Sequence, residues 1–283
     1  MNSILKACDS ECASLEAEIV QMIRAHRIDH KKLILVEGDS DQFVFQKLYD
    51  KELFDVYGSR RFAGCLHFET LVGNINEYYM KDFIVIKDAD FDHLNLKTYD
   101  SYPNLFLTDT HDLETLMLVD GVYEKLNLDF GIEDGKRIMS DAIREILNLS
   151  YLKWMNNIYN IKLNFKDSCR VGSCYSGKNE VSVTECLKRI NECPKNDSKK
   201  IFCDHEVEQF KTDHPISDAE ILQITNGHDM INASVIKFKR IYKKNISRKD
   251  IEGLIQDNFS IEDYRKTLLY SKILNWFDSC EKN

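Results

Sequence analysis

The sequence predicts an α/β protein: a Rossmann-like, mostly parallel sheet with flanking helices, followed by a mainly helical C-terminal portion. Three observations predict it. The short apolar runs "LILV" (33–36), "FIVI" (83–86) and "LFL" (105–107) show no polar alternation, as expected of strands covered on both faces. Stretches with helical spacing separate these runs, which is the rhythm of crossover connections in a parallel sheet. Beyond about residue 121 the strand rhythm stops.

Taken in order, residues 3–27 form an amphipathic helix with Leu15, Ile19, Met22 and Ile23 on one face. "KLILVEG" is a buried strand, and "SDQFVFQKLYDKELF" a helix capped by Asp39 or Ser40. "FDVYG" is a short strand, and "GCLHFETLVGNINEYYM" suits a helix. "KDFIVIKDADFD" carries the second clear strand, and "NLFLTDTHDLETLML" a third, leading into a helix from about Asp112. Further helices are expected over 136–149, 150–162, 181–193, 229–243 and 260–280, and 163–228 is the least readable stretch. The expected organisation is an N-terminal helix (1–27), a sheet domain (28–120) and a helical region (121–283) that contains a basic tract, 237–249.

Hydrophobic residues make up 43% and charged residues 30% of the 283, enough for a substantial core. No run approaches the ~18 apolar residues of a membrane span, and the N-terminus lacks a basic segment followed by an apolar one. A cytoplasmic protein is expected. The nine cysteines include no Cys-x-x-Cys. Cys193, Cys203 and His205, with Cys169, Cys174 and Cys186 upstream, are loosely spaced for zinc, so scattered reduced thiols are expected.

The net charge of −9 opposes nucleic-acid binding on average, but the charge is uneven. Acids concentrate in the first 135 residues, whereas "IKFKRIYKKNISRKD" carries Lys237, Lys239, Arg240, Lys243, Lys244, Arg248 and Lys249. That tract is either a substrate surface or a solvated helix face.

Three expected strand ends carry acids: Glu37, Asp39 and Asp41; Asp88, Asp90 and Asp92; and Asp109, Asp112 and Glu114 beside His111. On a strand, Asp88 and Asp90 would alternate to one side. Neighbouring strands lie ~4.8 Å apart, so such acids can share one or two divalent cations. Oxygen donors favour Mg2+ or Mn2+ over zinc. The competing reading of each acid is a helix N-cap.

"VEGDSD" followed by "DAD" resembles the TOPRIM fold of topoisomerases, primases and OLD-type nucleases. "HDLET" and "NGHDM" (with Gly227, His228 and Asp229) are similar to a branch of OLD-like TOPRIM proteins, formerly a domain of unknown function. That branch includes the AriB-type effectors of PARIS anti-phage systems, which work beside an AriA-type ABC ATPase. The resemblance covers roughly residues 30–120 and extends more weakly to "NGHDM". It implies a TOPRIM core and metal-dependent phosphodiester cleavage with Mg2+ or Mn2+. Glu37, Asp88 and Asp90 would be catalytic, and Glu37, Asp41, Asp88, Asp90, Asp112 and Glu114 would hold metal, with Asp92 as an extra. Lys178 or Lys87 would be a basic catalytic group, and Lys237, Lys239, Arg240, Lys243 and Lys244 would bind substrate. The substrate would be RNA, including tRNA, or DNA.

"GSCYSGKN" nearly spells a phosphate-binding loop, but Asn179 replaces the hydroxyl residue and no strand precedes it. Any ATP would therefore sit on the partner chain. No tyrosine is placed as a topoisomerase nucleophile, and no zinc ribbon or polymerase extension points to a primase. His111 and His228 each precede an Asp that could tune a base or cap a helix, and a cap is the expectation for Asp229. A homodimer through the N- and C-terminal helices is expected. Two rivals remain open: a non-catalytic TOPRIM subunit, and a nuclease of RNA maturation or DNA repair.

Overall fold

The computed structural model describes residues 2–58, 73, 75, 77–175, 180–197 and 199–282. The chain divides into two compact units, and neither is continuous in sequence. The first comprises residues 1–88, 98–109 and 260–283, and the second 89–97 and 110–259. The division therefore falls elsewhere than at 27 and 120. The N-terminal helix belongs with the sheet, and the last segment of the chain returns to it.

The first unit holds a four-stranded, all-parallel sheet. Its strands are β1 (Lys32–Val36), β2 (Phe54–Gly58), β3 (Phe83–Lys87) and β4 (Leu105–Leu107), in the spatial order β2-β1-β3-β4. The apolar runs form strands because both faces are covered. Leu33, Leu35, Phe83, Val85 and Leu105 pack with Leu15, Ile19 and Ile23 of helix α1 (Asn2–Asp29). Ile34, Val36, Ile84 and Ile86 alternate to the opposite face and are also buried. Phe106 alternates likewise and meets Trp276 of the C-terminal helix Leu268–Lys282, with ring centroids 6.3 Å apart. The apolar stripes of the two terminal helices thus serve the sheet's own core.

Helix α2 (Asp39–Leu48) follows β1 and buries Val44, Phe45 and Leu48. Its N-cap is Gly38 rather than Asp39 or Ser40. Gly58, at the end of β2, lies so close that an added Cβ would meet the Gln42 Cβ at 2.9 Å. The helix expected over 64–80 lies largely outside the described residues, and Glu77–Asp82 is a 3-10 helix.

The second unit is helical. Its longer helices are Asp120–Phe130, Gly135–Glu145, Leu147–Ile158, Val183–Glu192, Asp204–Asp213, Gly227–Tyr242 and Arg248–Asn258. Three of these, 120–130, 204–213 and 248–258, were not expected from the sequence as separate helices. The helix expected over 260–280 is broken in two, Ile261–Tyr264 and Leu268–Lys282, both in the first unit. Among the described residues no helix is long and apolar enough to cross a membrane.

Candidate metal and catalytic site

Glu37 is the residue after β1 and Asp88 the residue after β3. These strands are neighbours, paired in parallel with Val36 opposite Ile86. From β1 the chain crosses to β2 on one side, while β3 lies on the other. The boundary between β1 and β3 is therefore the topological switch point, where open α/β sheets leave a crevice at the carboxyl ends of their strands. The Asp88 backbone N–H donates to Glu37 Oε1 at 3.2 Å. Both residues are partly exposed. All the side-chain donors of this pair are oxygens, which suits a hard cation such as Mg2+ or Mn2+.

The neighbours are more constrained than the sequence suggests. Asp41 Oδ2 accepts from the N–H of Gly38 at 3.0 Å, so this acid fixes the turn into α2. Lys87 is buried; its ammonium donates to the Asp88 carbonyl at 2.9 Å and sits 5.9 Å from the Tyr99 ring centroid. Asp109 is a cap: its carboxylate accepts from the N–H groups of Leu268 and Leu269, at 2.7 and 2.8 Å. Lys178 lies outside the described residues.

β3 stops at Lys87, so the period-two argument for Asp88 and Asp90 fails. Asp90 follows in a turn with φ +47, a left-handed conformation that Asp tolerates better than most residues. Within the second unit, its N–H donates to the His111 carbonyl at 2.7 Å. Asp92 pairs loosely with Lys97, at 3.9 Å.

The second unit brings "HDLET" and "NGHDM" together, with Asp112 at the junction. Asp112 is the N-cap of the short helix Leu113–Leu116, and its Oδ1 accepts from the Thr115 N–H at 3.0 Å and the Thr115 hydroxyl at 2.9 Å. Its Oδ2 accepts from the Gly227 N–H at 2.6 Å and lies 3.2 Å from His111 Nδ1. Burial pushes the Asp112 carboxyl up, but hydrogen bonding and charge from His111, then the Gly227 and Thr115 amides, hold it below its ordinary value. With four donors around its two oxygens, Asp112 is a latch rather than an open metal ligand. His111 is buried edge-on to Phe91, 4.9 Å between centroids, and its Nε2 has no hydrogen-bond partner among the described residues.

Glu114 lies 3.6 Å from His228 Nδ1, which sits 2.7 Å from Arg248 Nη2. Burial, then the Arg248 charge, lowers the His228 pKa, so the neutral ring accepts from the guanidinium. The helix after "NG" is capped by Asn226, not Asp229; Asn226 Oδ1 accepts the Asp229 N–H, and Asp229 pairs with Lys153.

The basic tract is not one exposed face. Lys237 is buried and bridges Glu145 at 2.5 Å and Asp141 at 3.3 Å, so it has no ammonium to offer a substrate. Arg240 also binds Glu145, at 2.9 Å, and Lys244 binds the carbonyls of Phe130 and Gly131. Lys243 is exposed and donates to the Arg240 carbonyl, and Lys239 is exposed. The comparison with protein-family models returns no match, and neither does the comparison with curated proteins.

Proposed function

We propose that this chain is a TOPRIM-type nuclease that cleaves phosphodiester bonds with Mg2+ or Mn2+ held at Glu37 and Asp88 of the first unit. The observation that carries this reading is the junction of Glu37 and Asp88 at the switch point of a parallel sheet. The motif order "VEGDSD", "DAD", "HDLET" and "NGHDM" supports the same reading.

When bound, the cation supplies charge neutralisation and an activated water at the phosphate. The chain's own part is positioning and proton transfer. Glu37 and Asp88 orient oxygen donors from two rigid strands, and the Asp88 N–H keeps the Glu37 carboxylate turned toward its neighbour. A Glu37 oxygen not committed to the cation takes the proton of the attacking water. Lys239, Lys243 and Lys249 are the exposed lysines of the basic tract, the exposure that contact with a phosphate backbone requires.

In this reading the biological role is the toxic effector of a bacterial anti-phage system, held silent by an ABC-type ATPase partner, with tRNA, other RNA or DNA as substrate. A homodimer belongs to the same reading. The test is incubation of the purified protein with total tRNA and with plasmid DNA, with and without Mg2+ or Mn2+. Cleavage that needs the metal and disappears in Glu37→Ala supports the nuclease. Cleavage that persists in the variant rejects this site, and no cleavage with the ATPase partner present favours the non-catalytic subunit.

A further inference from the structure

The expectation of scattered thiols fails at one place in the second unit. Cys169, Cys174 and Cys186 converge, with all three sulfur atoms within 4.8 Å of one another. The Cys169 and Cys174 sulfurs are 3.0 Å apart, and all three residues are buried. We propose that these three cysteines form a thiolate site for a single soft divalent cation, zinc first among them, independent of the Glu37–Asp88 pair.

The local structure is built to hold the three together. Cys169 closes the short helix Phe165–Ser168, and Cys174 is the last residue of Val171–Cys174. Cys186 lies on the buried face of Val183–Glu192 beside Leu187 and Ile190. An antiparallel bridge pairs Tyr175 with Val181, and the Ser182 N–H donates to the Cys174 carbonyl at 3.1 Å. Cys169 and Cys174 thus reach the cluster from the chain before this bridge, and Cys186 from the chain after it. Cys169 and Cys174, separated by four residues, sit at the wide end of the pair spacing that zinc sites use.

Distance argues for one ion. A tetrahedral zinc with Zn–S of 2.3 Å sets its sulfurs roughly 3.8 Å apart. The observed trio needs only small side-chain rotations to reach that spacing. A disulfide would use two of the sulfurs and leave the third unexplained, whereas a metal uses all three. Thiolate is the donor class for soft cations and excludes Mg2+ and Mn2+ here.

Charge points the same way. The positive charges of Lys153 and Arg189 act on Cys169 and Cys174 respectively, and so offset the negative charge of the thiolates. Binding one M2+ replaces the three S–H protons, which leave to solvent, and leaves a complex of net charge −1. Among the described residues no fourth His, Cys, Asp or Glu joins the cluster.

The experiment uses the full-length protein, reduced and freed of metal by a chelator, and titrated with Co2+ as the probe. The expected result is a thiolate-to-cobalt charge-transfer band in the near ultraviolet that saturates at about one equivalent and is abolished by Zn2+. A carboxylate site gives no such band, so Co2+ at Glu37 and Asp88 would not imitate it. Metal analysis of protein purified without chelator should find about one zinc per chain, falling below about one tenth in Cys186→Ser and unchanged in Cys203→Ser and Cys280→Ser. The wild-type titration needs no variant to fold. No charge-transfer band in folded, reduced wild type would overturn the proposal. So would metal content unaffected by Cys186→Ser, or a Cys169–Cys174 disulfide in protein that takes up no metal once reduced.

Discussion

The backbone N–H of Asp88 donates to Oε1 of Glu37 at 3.2 Å, tying the carboxyl ends of the two central strands to each other. The bond explains why a buried strand ends on a carboxylate. β1 and β3 are buried along most of their length, so the acids at their ends follow closely packed strands. Acids carried there keep their separation without help from loops.

Asp112 should behave as a buried latch. Asp112→Asn turns one oxygen acceptor into an NH2 facing the Thr115 or Gly227 amides, and should cost about 1–3 kcal/mol. The folded carboxyl titrates below its ordinary 3.8, so its stabilisation is complete above that pH and is lost as pH falls through the lower folded value. Thermal melts from neutral pH down to acid should show a smaller loss of stability at the acid end in Asp112→Asn than in wild type.

Gly227 should tolerate no side chain. An added Cβ would meet Asp112 Oδ1 at 2.6 Å and run into the Glu114 Cβ. Gly227→Ala should therefore destabilise by about 1–3 kcal/mol, although alanine is the better helix former. Denaturant unfolding measures this, and a neutral or stabilising effect would refute the close approach.

Lys237 and Lys239 stand two residues apart and should respond oppositely. Lys237→Ala leaves Glu145 buried with only part of its charge compensated and should cost about 3–5 kcal/mol. Lys239 is exposed, so Lys239→Ala should change stability by no more than about 0.5 kcal/mol. If the tract meets nucleic acid, Lys239→Ala should also weaken binding and flatten its salt dependence. Unfolding curves beside binding isotherms at two salt concentrations separate the roles.

The strands were legible because parallel-sheet burial leaves an unbroken apolar run, as at Leu33–Val36 and Phe83–Ile86. The acids at their ends were legible for the same reason, since Glu37 and Asp88 each directly follow or nearly follow such a run. What each neighbouring acid does was not. Asp109 and Asp112 resemble Asp88 in sequence, yet they accept from amides at 268–269 and 227, partners too distant in the chain for local pattern to reveal. Lys237 did carry a signal. It continues the buried stripe of Met230 and Ser234 at helical spacing, and so belonged to the interior. The cysteine trio also depends on two four-residue helices, Phe165–Ser168 and Val171–Cys174, too brief for periodicity to show, that bring Cys169 and Cys174 to the expected helix carrying Cys186.

The most direct test of the central claim is Mn2+ binding, followed by the loss of the free-ion paramagnetic resonance signal as protein is added. The account predicts that wild type removes the signal, and that Glu37→Gln and Asp88→Asn each weaken binding by about tenfold or more while melting cooperatively. Equal Mn2+ binding by wild type and both folded variants would contradict it.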